Sequence, residues 1–365
     1  MNLGRSSDIV LARRTMVMVL VAIALLALAA LIWRLSGVLL MVFGSVLIAT
    51  ILHAIGDPIA RRTALSRNWA LLVAGLIVLA VIGGTAWLFA AQVGTQISEA
   101  LQQAENAIPA VGDAIGITGL SEYVATALRQ AFDTERAFGV GYTAIEVVAN
   151  IVLVIIAGIY LAISPDLYRD GVVMLFPRAA RPLIADALNT SGSALRLWLF
   201  GQFFSMLTTG TLTWFIMWLL GLPSAAGLGL IAGVTEFIPL LGPFLGAVPA
   251  LLIALTLGPA KALWVAIAFV VIQQIEAHLI QPLITRAAVS LPPALLVFTF
   301  VAFGTVYGAT GILFAAPLTV VVFVFVKKLY VRETLGETTV IPGEAVLQDE
   351  RAPIDSIQGR RDLDT

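Results

Sequence analysis

The sequence predicts an all-α integral membrane protein, with about six membrane-spanning helices plus two re-entrant hairpins broken by Pro and Gly. Three observations predict it. The 365 residues are 60% hydrophobic and only 12% charged, with a mean hydropathy of +1.00; a soluble chain is about 25% charged. Several apolar runs reach the roughly 20 residues that cross a bilayer core. Two further runs, 224–257 and 293–327, are too long for one crossing and carry helix breakers near their middles.

The elements follow in order. Arg13 and Arg14 precede an apolar run from Thr15 to Trp33. A signal-peptide core is usually about 7–15 residues, so this longer run reads as a retained anchor helix. Further helices are expected at about 37–56, 69–91 and 143–164, with a fifth at 197–220 and a sixth at 261–282. Residues 1–91 form an N-terminal membrane unit. Residues 92–141 form extracytoplasmic amphipathic helices, in which Val93, Ile97, Leu101 and Ile108 recur near helical spacing. Residues 142–195 hold the fourth helix and a polar cytoplasmic linker. Residues 196–328 form two helix-plus-hairpin units, and 329–365 a polar tail expected to be disordered.

Charge sets the orientation. Arg5, Arg13, Arg14, Arg61, Arg62, Arg67, Arg169, Arg178, Arg181, Arg196, Lys327 and Lys328 all fall inside if the first four helices alternate. Both termini are then cytoplasmic. The stretch 92–141 carries six acids against Arg129 and Arg136, as an outer segment should.

The two long segments come next. A straight 34-residue helix would be about 51 Å long, against roughly 30 Å of hydrocarbon. The first segment contains Pro239, Gly242 and Pro243; the second contains Gly304, Gly308 and Gly311. Gly242 lies 19 residues after Pro223, and Gly311 lies 19 after Pro292. Two half-helices that turn back at the midplane fit this length, and one simple helix precedes each. Opposite orientations of the two units make an inverted repeat, an architecture found in transporters. The rival is that each segment crosses once as a kinked helix. Lys261 and Arg286, one charge each way, leave both open.

Broken backbone in lipid is tolerated only against protein or a wet cavity. The breaks therefore mark candidate sites. Glu236, just before the first, is a carboxylate whose insertion costs about 3 kcal/mol; it reads as a titratable or ligand-contacting group, or as an acid buried against a donor. Pro239, Gly242 and Pro243 shape the first tip. Thr305, Tyr307, Gly308, Thr310 and Gly311 shape the second. On the fifth helix, Gln202, Ser205, Thr209 and Thr213 fall within about 80° of arc, either lining a route or binding helices together. Glu276 lies in the polar cluster "IQQIEAHLIQP", which reads as an interfacial cap or part of the path.

Other classes drop out. A net charge of −1 gives no reason to expect a nucleic-acid partner, and the absence of Cys removes disulfides and thiolate chemistry. "GLGLIAG" at Gly227 imitates a dinucleotide loop, but its Gly229–Gly233 spacing suits close helix packing, as does Gly304–Gly308. No P-loop, HExxH or GxSxG motif occurs. An enzyme is not expected, and no cofactor or metal.

Ile238-Pro239, Gly242-Pro243, the segment from Glu276 to Pro282, Leu291-Pro292, Gly308, Gly311 and Pro317 together resemble the autoinducer-2 exporter family of bacterial membrane proteins. The resemblance covers most of 10–330; "DPIARR" near Asp57 and "LFGQ" at Gln202 extend it. Two features depart from the family: the acid Glu236 before Ile-Pro, and Ala287-Ala288 where a glycine often follows. The resemblance implies a bacterial inner-membrane protein that exports a small signalling molecule or exchanges sodium and protons. It also implies a homo-oligomer, a pentamer, and an elevator-like movement. On this reading the chain is a secondary transporter for a small polar solute or ion, possessing the bilayer and its substrate as partners; a non-transporting scaffold or a channel is the alternative.

Overall fold

The computed structural model describes residues 16–21, 23, 26, 27, 30, 31, 33–88, 144–280, 282 and 291–344. The expected amphipathic helices of 92–141 lie outside these residues. All regular structure among the described residues is helical. Residues 16–34 are helical wherever described. Then come α1 (Ser36–Arg62), α2 (Arg67–Leu88), α3 (Ala144–Ile163), α4 (Pro165–Met174), α5 (Arg181–Leu219), α6 (Ala225–Thr235), α7 (Gly242–Thr256), α8 (Pro259–Ile275) and α9 (Pro293–Phe325). Short π-helical turns extend α8 over Glu276–Ile280 and α9 over Val326–Arg332.

By length and composition alone, three helices among the described residues could cross a membrane: Ser36–Arg62, Pro259–Ile280 and Pro293–Arg332, the last of which contains the break at Gly308. Counting Ala149–Ile163 with Pro165–Met174 as one bent span makes four. The expected six are thus reduced. The first expected helix falls partly on residues that are not described, and of α2 only the stretch Arg67–Val81 enters this count. The fifth expected helix is longer than foreseen, reaching back to Arg181 for 39 residues, but its row of Gln, Ser and Thr makes it less apolar. Much of the expected polar linker, Asn189 included, is inside it.

Packing is inside out relative to a soluble protein. The buried positions are rich in Ala, such as Ala187, Ala194, Ala250, Ala254 and Ala315. Large side chains such as Phe203, Phe244, Phe298 and Trp264 are exposed. Small residues let helices approach closely where lipid, not water, surrounds them. The α5–α6 crossing shows it: a Cβ on Gly210 would lie 3.0 Å from the Gly229 carbonyl, and one on Gly233 would lie 2.8 Å from the Met206 carbonyl. The Gly229–Gly233 pair is therefore a packing motif, as its spacing suggested.

The helices form two groups. Helices α1, α2 and α3 enclose Ala49, Leu52, Leu71, Ala74 and Ala162. Helices α5 to α8 enclose a second core that includes Met217, Leu228, Ala250, Val265 and Phe269. A third core, with Trp198, Phe300, Ala316 and Val320, joins α5 to α9 and takes Leu47 from α1. The Phe43 and Phe314 rings meet edge to face there, 6.2 Å apart.

Both long apolar segments double back. A Cβ on Gly246 of α7 would lie 2.8 Å from Ala232 Cα of α6, and one on Gly242 would meet the Thr235 carbonyl oxygen. Moving forward along one helix moves backward along the other, so the pair is antiparallel. Helix α9 is regular except at Gly308, with φ 62° and ψ −144°. A Cβ on Gly311 would meet the Phe303 carbonyl oxygen, and one on Gly304 would lie 3.0 Å from Ile312. Residues eight apart in a straight helix are about 12 Å apart. The chain therefore folds back at Gly308, where only glycine adopts such dihedrals at little cost. Gly304 and Gly308 shape this turn rather than a crossing between spans.

The tail is a correction. Residues 329–344, expected to be disordered, are placed. Ile341 is buried in the third core. Gly343 (φ 90°) lies against the α5 backbone at Thr190 and Ala194. Lys328, 4% exposed, reaches Asp186 Oδ2 at 2.7 Å, Thr190 Oγ1 at 2.6 Å and Glu344 Oε1 at 3.1 Å. Arg332 holds both Glu344 oxygens, at 2.6 and 3.0 Å. Composition pointed to a solvated tail, but these specific partners outweigh it.

Candidate functional site

The first hairpin turn, residues 236–241, organises the site. Helix α6 stops because Pro239 cannot donate a backbone hydrogen bond and restricts Ile238 before it. Leu240 takes the left-handed region, φ 69°, which is rare for a branched side chain. Gly242 lets α7 start against α6, and Pro243 occupies the first turn of α7, where its missing N–H costs nothing.

Glu236 caps the C-terminal end of α6 and is buried. Gln202 of α5 donates its side-chain amide to the Glu236 carbonyl oxygen, a group the helix end leaves without an internal partner. Trp198, one turn earlier on α5, meets the Phe237 ring edge to face at 5.9 Å. The turn is thus fixed from α5 by two side chains on one face.

Glu276 completes the arrangement. It is buried where α8 widens into its π-helical turn. Its carboxyl lies close enough to the Glu236 carboxyl for the two to interact, and the Gln273 amide donates to Glu276 Oε2 at 3.4 Å. Glu236 Oε2 finds no donor of its own. π-helical turns often occur at functional sites, and two facing carboxyls can hold one proton, or one cation, between them. Among the described residues no group of three or more His, Cys, Asp or Glu could hold a metal ion.

Ser205, Thr209 and Thr213 are all buried, continuing the face of Trp198 and Gln202 along α5. The Thr209 and Thr213 hydroxyls find no hydrogen-bond partner, so they do not bind helices together through hydrogen bonds. Pro239, Gly242 and Pro243 lie in the turn beside Glu236. Thr305, Tyr307, Gly308, Thr310 and Gly311 form the turn of α9 instead. Thr305 is exposed and donates to Ala302 O, Tyr307 stacks obliquely on Phe303, and Thr310 is exposed. The first turn packs on the arms of α9: Phe237 and Ile238 join Leu296, Phe303 and Ile312 in one core.

Sequence reasoning missed Trp198, Leu240 and the tail clasp. Trp198 was findable, since it extends the Gln202 row by one turn. Leu240 carried no signal.

The comparisons with known proteins fit this architecture. The profile described as AI-2E family transporter matches residues 19–331. The chain belongs to this family. It is 33% identical over 162 residues to "Putative transport protein YrrI" of Bacillus subtilis (strain 168), covering 44% of this chain and 46% of that protein. It is 32% identical over 187 residues to "Putative transport protein YueF" of the same organism, covering 49% of this chain and 50% of that one. The chain thus spans about half the length of the curated relatives it matches. Helices long and apolar enough to cross a membrane, together with membership of this family, make it a membrane protein.

Proposed function

We propose that the chain is a secondary transporter in which the Glu236–Glu276 pair carries the coupling proton or cation. The observation behind this reading is the meeting of two buried acids, from two helices, at a broken helix end inside an otherwise apolar body. The cargo is a small polar solute, an autoinducer-2-like signal, or an inorganic ion. The two hairpins are re-entrant: α6 and α7 have 11 and 15 residues, about 16 and 22 Å, too short to cross roughly 30 Å of hydrocarbon. With α5 and α8 before them, the hairpins form an inverted repeat. Gly242 and Gly311 play matching parts, each pressing one arm onto the backbone of the other. The protein sits in the bacterial inner membrane as a homo-oligomer, with both termini cytoplasmic. The hairpin group moves against α1–α3 as an elevator.

Protonation or cation binding at the pair removes charge from the tip, and a tip with less charge crosses hydrocarbon more easily. The test is flux in proteoliposomes under an imposed pH gradient, with Na⁺, K⁺ or autoinducer-2 as the probe. Wild type is expected to couple probe and proton movement. Glu236→Gln and Glu276→Gln are each expected to retain folding and downhill flux but lose the response to pH. Equal pH response in wild type and variants refutes the role of the pair. Absence of flux in wild type favours a scaffold; turnover above about 10⁶ per second, beyond typical catalysed cycles, favours a channel.

A further inference from the structure

The link between the two helix groups leaves its apolar face uncovered. At Ser164 (φ −134°, ψ 60°) the chain leaves α3, and Pro165 opens α4 without needing a backbone donor. The two helices meet at 88°. An upright α3 therefore leaves α4 lying flat at its end.

Helix α4 buries none of its residues. Its polar side holds Asp166, Arg169 and Asp170. Arg169 pairs with both acids, at 3.1 and 2.9 Å, and reaches Asn189 of α5 at 3.5 Å. The opposite side carries Leu167, 69% exposed, with Tyr168, Val172 and Met174, and Leu175 follows at 83% exposed. At 100° per residue these five fall within about 160° of arc. In a water-soluble protein the apolar face would turn inward and the charged face outward. Here the apolar face stays uncovered, and of the charged residues only Arg169 turns toward the protein, Asp166 and Asp170 being 78% and 53% exposed.

The end of the helix matches an apolar setting. Arg181 donates to the Met174 and Phe176 carbonyl oxygens, each at 3.1 Å. Carbonyls at a helix end otherwise require water.

We propose that α4 docks on the lipid bilayer, at the boundary between headgroups and acyl chains, where α3 leaves the membrane. Continuity decides the occupant. Leu153, Ile156 and Tyr160 are exposed on the apolar α3, and the α4 face continues that apolar surface around the bend. Amphipathic helices of this kind lie in the interface plane. The docked helix tethers the end of α3 to the start of α5, so relative movement of the two groups pivots at Ser164 and at residues 175–180.

The chain has no cysteine, so single sites can be labelled. Leu175→Cys, Met174→Cys and Asp170→Cys carry an environment-sensitive fluorophore in proteoliposomes of phosphatidylcholine and phosphatidylglycerol. Labels at 174 and 175 are expected to be blue-shifted. Lipids brominated high on the acyl chain should quench them at least threefold more than the label at 170, and aqueous iodide at least threefold less. These ratios should persist when protein is diluted tenfold in lipid. Equal access of iodide to all three labels overturns the proposal. Shielding at 174 and 175 that disappears on dilution also overturns it, because a second copy of the chain would then cover the face.

Discussion

Replacing Gly311 with alanine distinguishes a doubled-back α9 from a single kinked or straight crossing by the sign of its effect. The added Cβ would meet the Phe303 carbonyl oxygen, and would lie 2.7 Å from Phe303 C and 2.8 Å from Tyr307 Cβ. Carbon contacts settle near 3.5–4 Å, so the two arms must part by about 1 Å. Two of the obstacles are backbone atoms, which have no rotamer through which to yield. Overpacking of this kind costs about 1–3 kcal/mol. In an uninterrupted helix the same change would instead stabilise by about 0.5–1 kcal/mol, because alanine loses less backbone entropy. Gly192 of α5 supplies the control: it is helical, and a Cβ there meets nothing within 4 Å. The assay is thermal unfolding in detergent, followed by tryptophan fluorescence. Gly311→Ala is expected to lower Tm by roughly 2–9 °C, and Gly192→Ala to leave it unchanged or slightly higher. A Tm for Gly311→Ala at or above that of Gly192→Ala refutes the fold-back at Gly308.

The other predictions concern the tail, the first turn and the topology. Burial pushes the Glu344 carboxyl up, but hydrogen bonds from Arg332 and Lys328, with their charges, outweigh it and hold it below the ordinary glutamate value. A depressed value means that the clasp stabilises fully above the unfolded-state value and weakens as pH falls through the folded one. Protease protection of the tail should therefore persist from pH 7 to 5 and decline below about 4, whereas Glu344→Gln should reduce protection at pH 7; unchanged protection in that variant removes Glu344 from the clasp. Lys328→Met removes the charge-assisted hydrogen bonds to Asp186, Thr190 and Glu344 and is expected to cost about 1.5–3 kcal/mol, read as a lower Tm; a neutral result refutes the clasp. Leu240→Gly relieves a left-handed φ at an exposed side chain and should stabilise by up to about 1 kcal/mol, and a destabilised variant counts against the strained turn. Cysteine in place of Lys261, whose ammonium group donates to the Leu220 carbonyl at the end of α5, should react with an impermeant reagent from the extracytoplasmic side; labelling only from the cytoplasm refutes the re-entrant topology.

The sequence by itself determined what depends on neighbours along the chain. Apolar runs, the small residues for close crossings, and the prolines and glycines that interrupt backbone hydrogen bonding can all be read one turn at a time. Gly242 and Gly311 stood out because a break needs a residue without a side chain, and Glu236 because charge is rare in such a run. The tertiary structure decided what depends on distance across the fold. That Glu276, 40 residues beyond Glu236, faces it rather than an interface follows from the path of α8, on which no local pattern reports. The same holds for the apolar face of α4, which reads as a mixed linker until Arg169 is seen turned toward α5. It holds also for Lys328, whose burial needs Asp186, Thr190 and Glu344 at once. Local sterics fixed where the helices break; packing between distant segments fixed which way they turn afterwards and which polar groups they bring together.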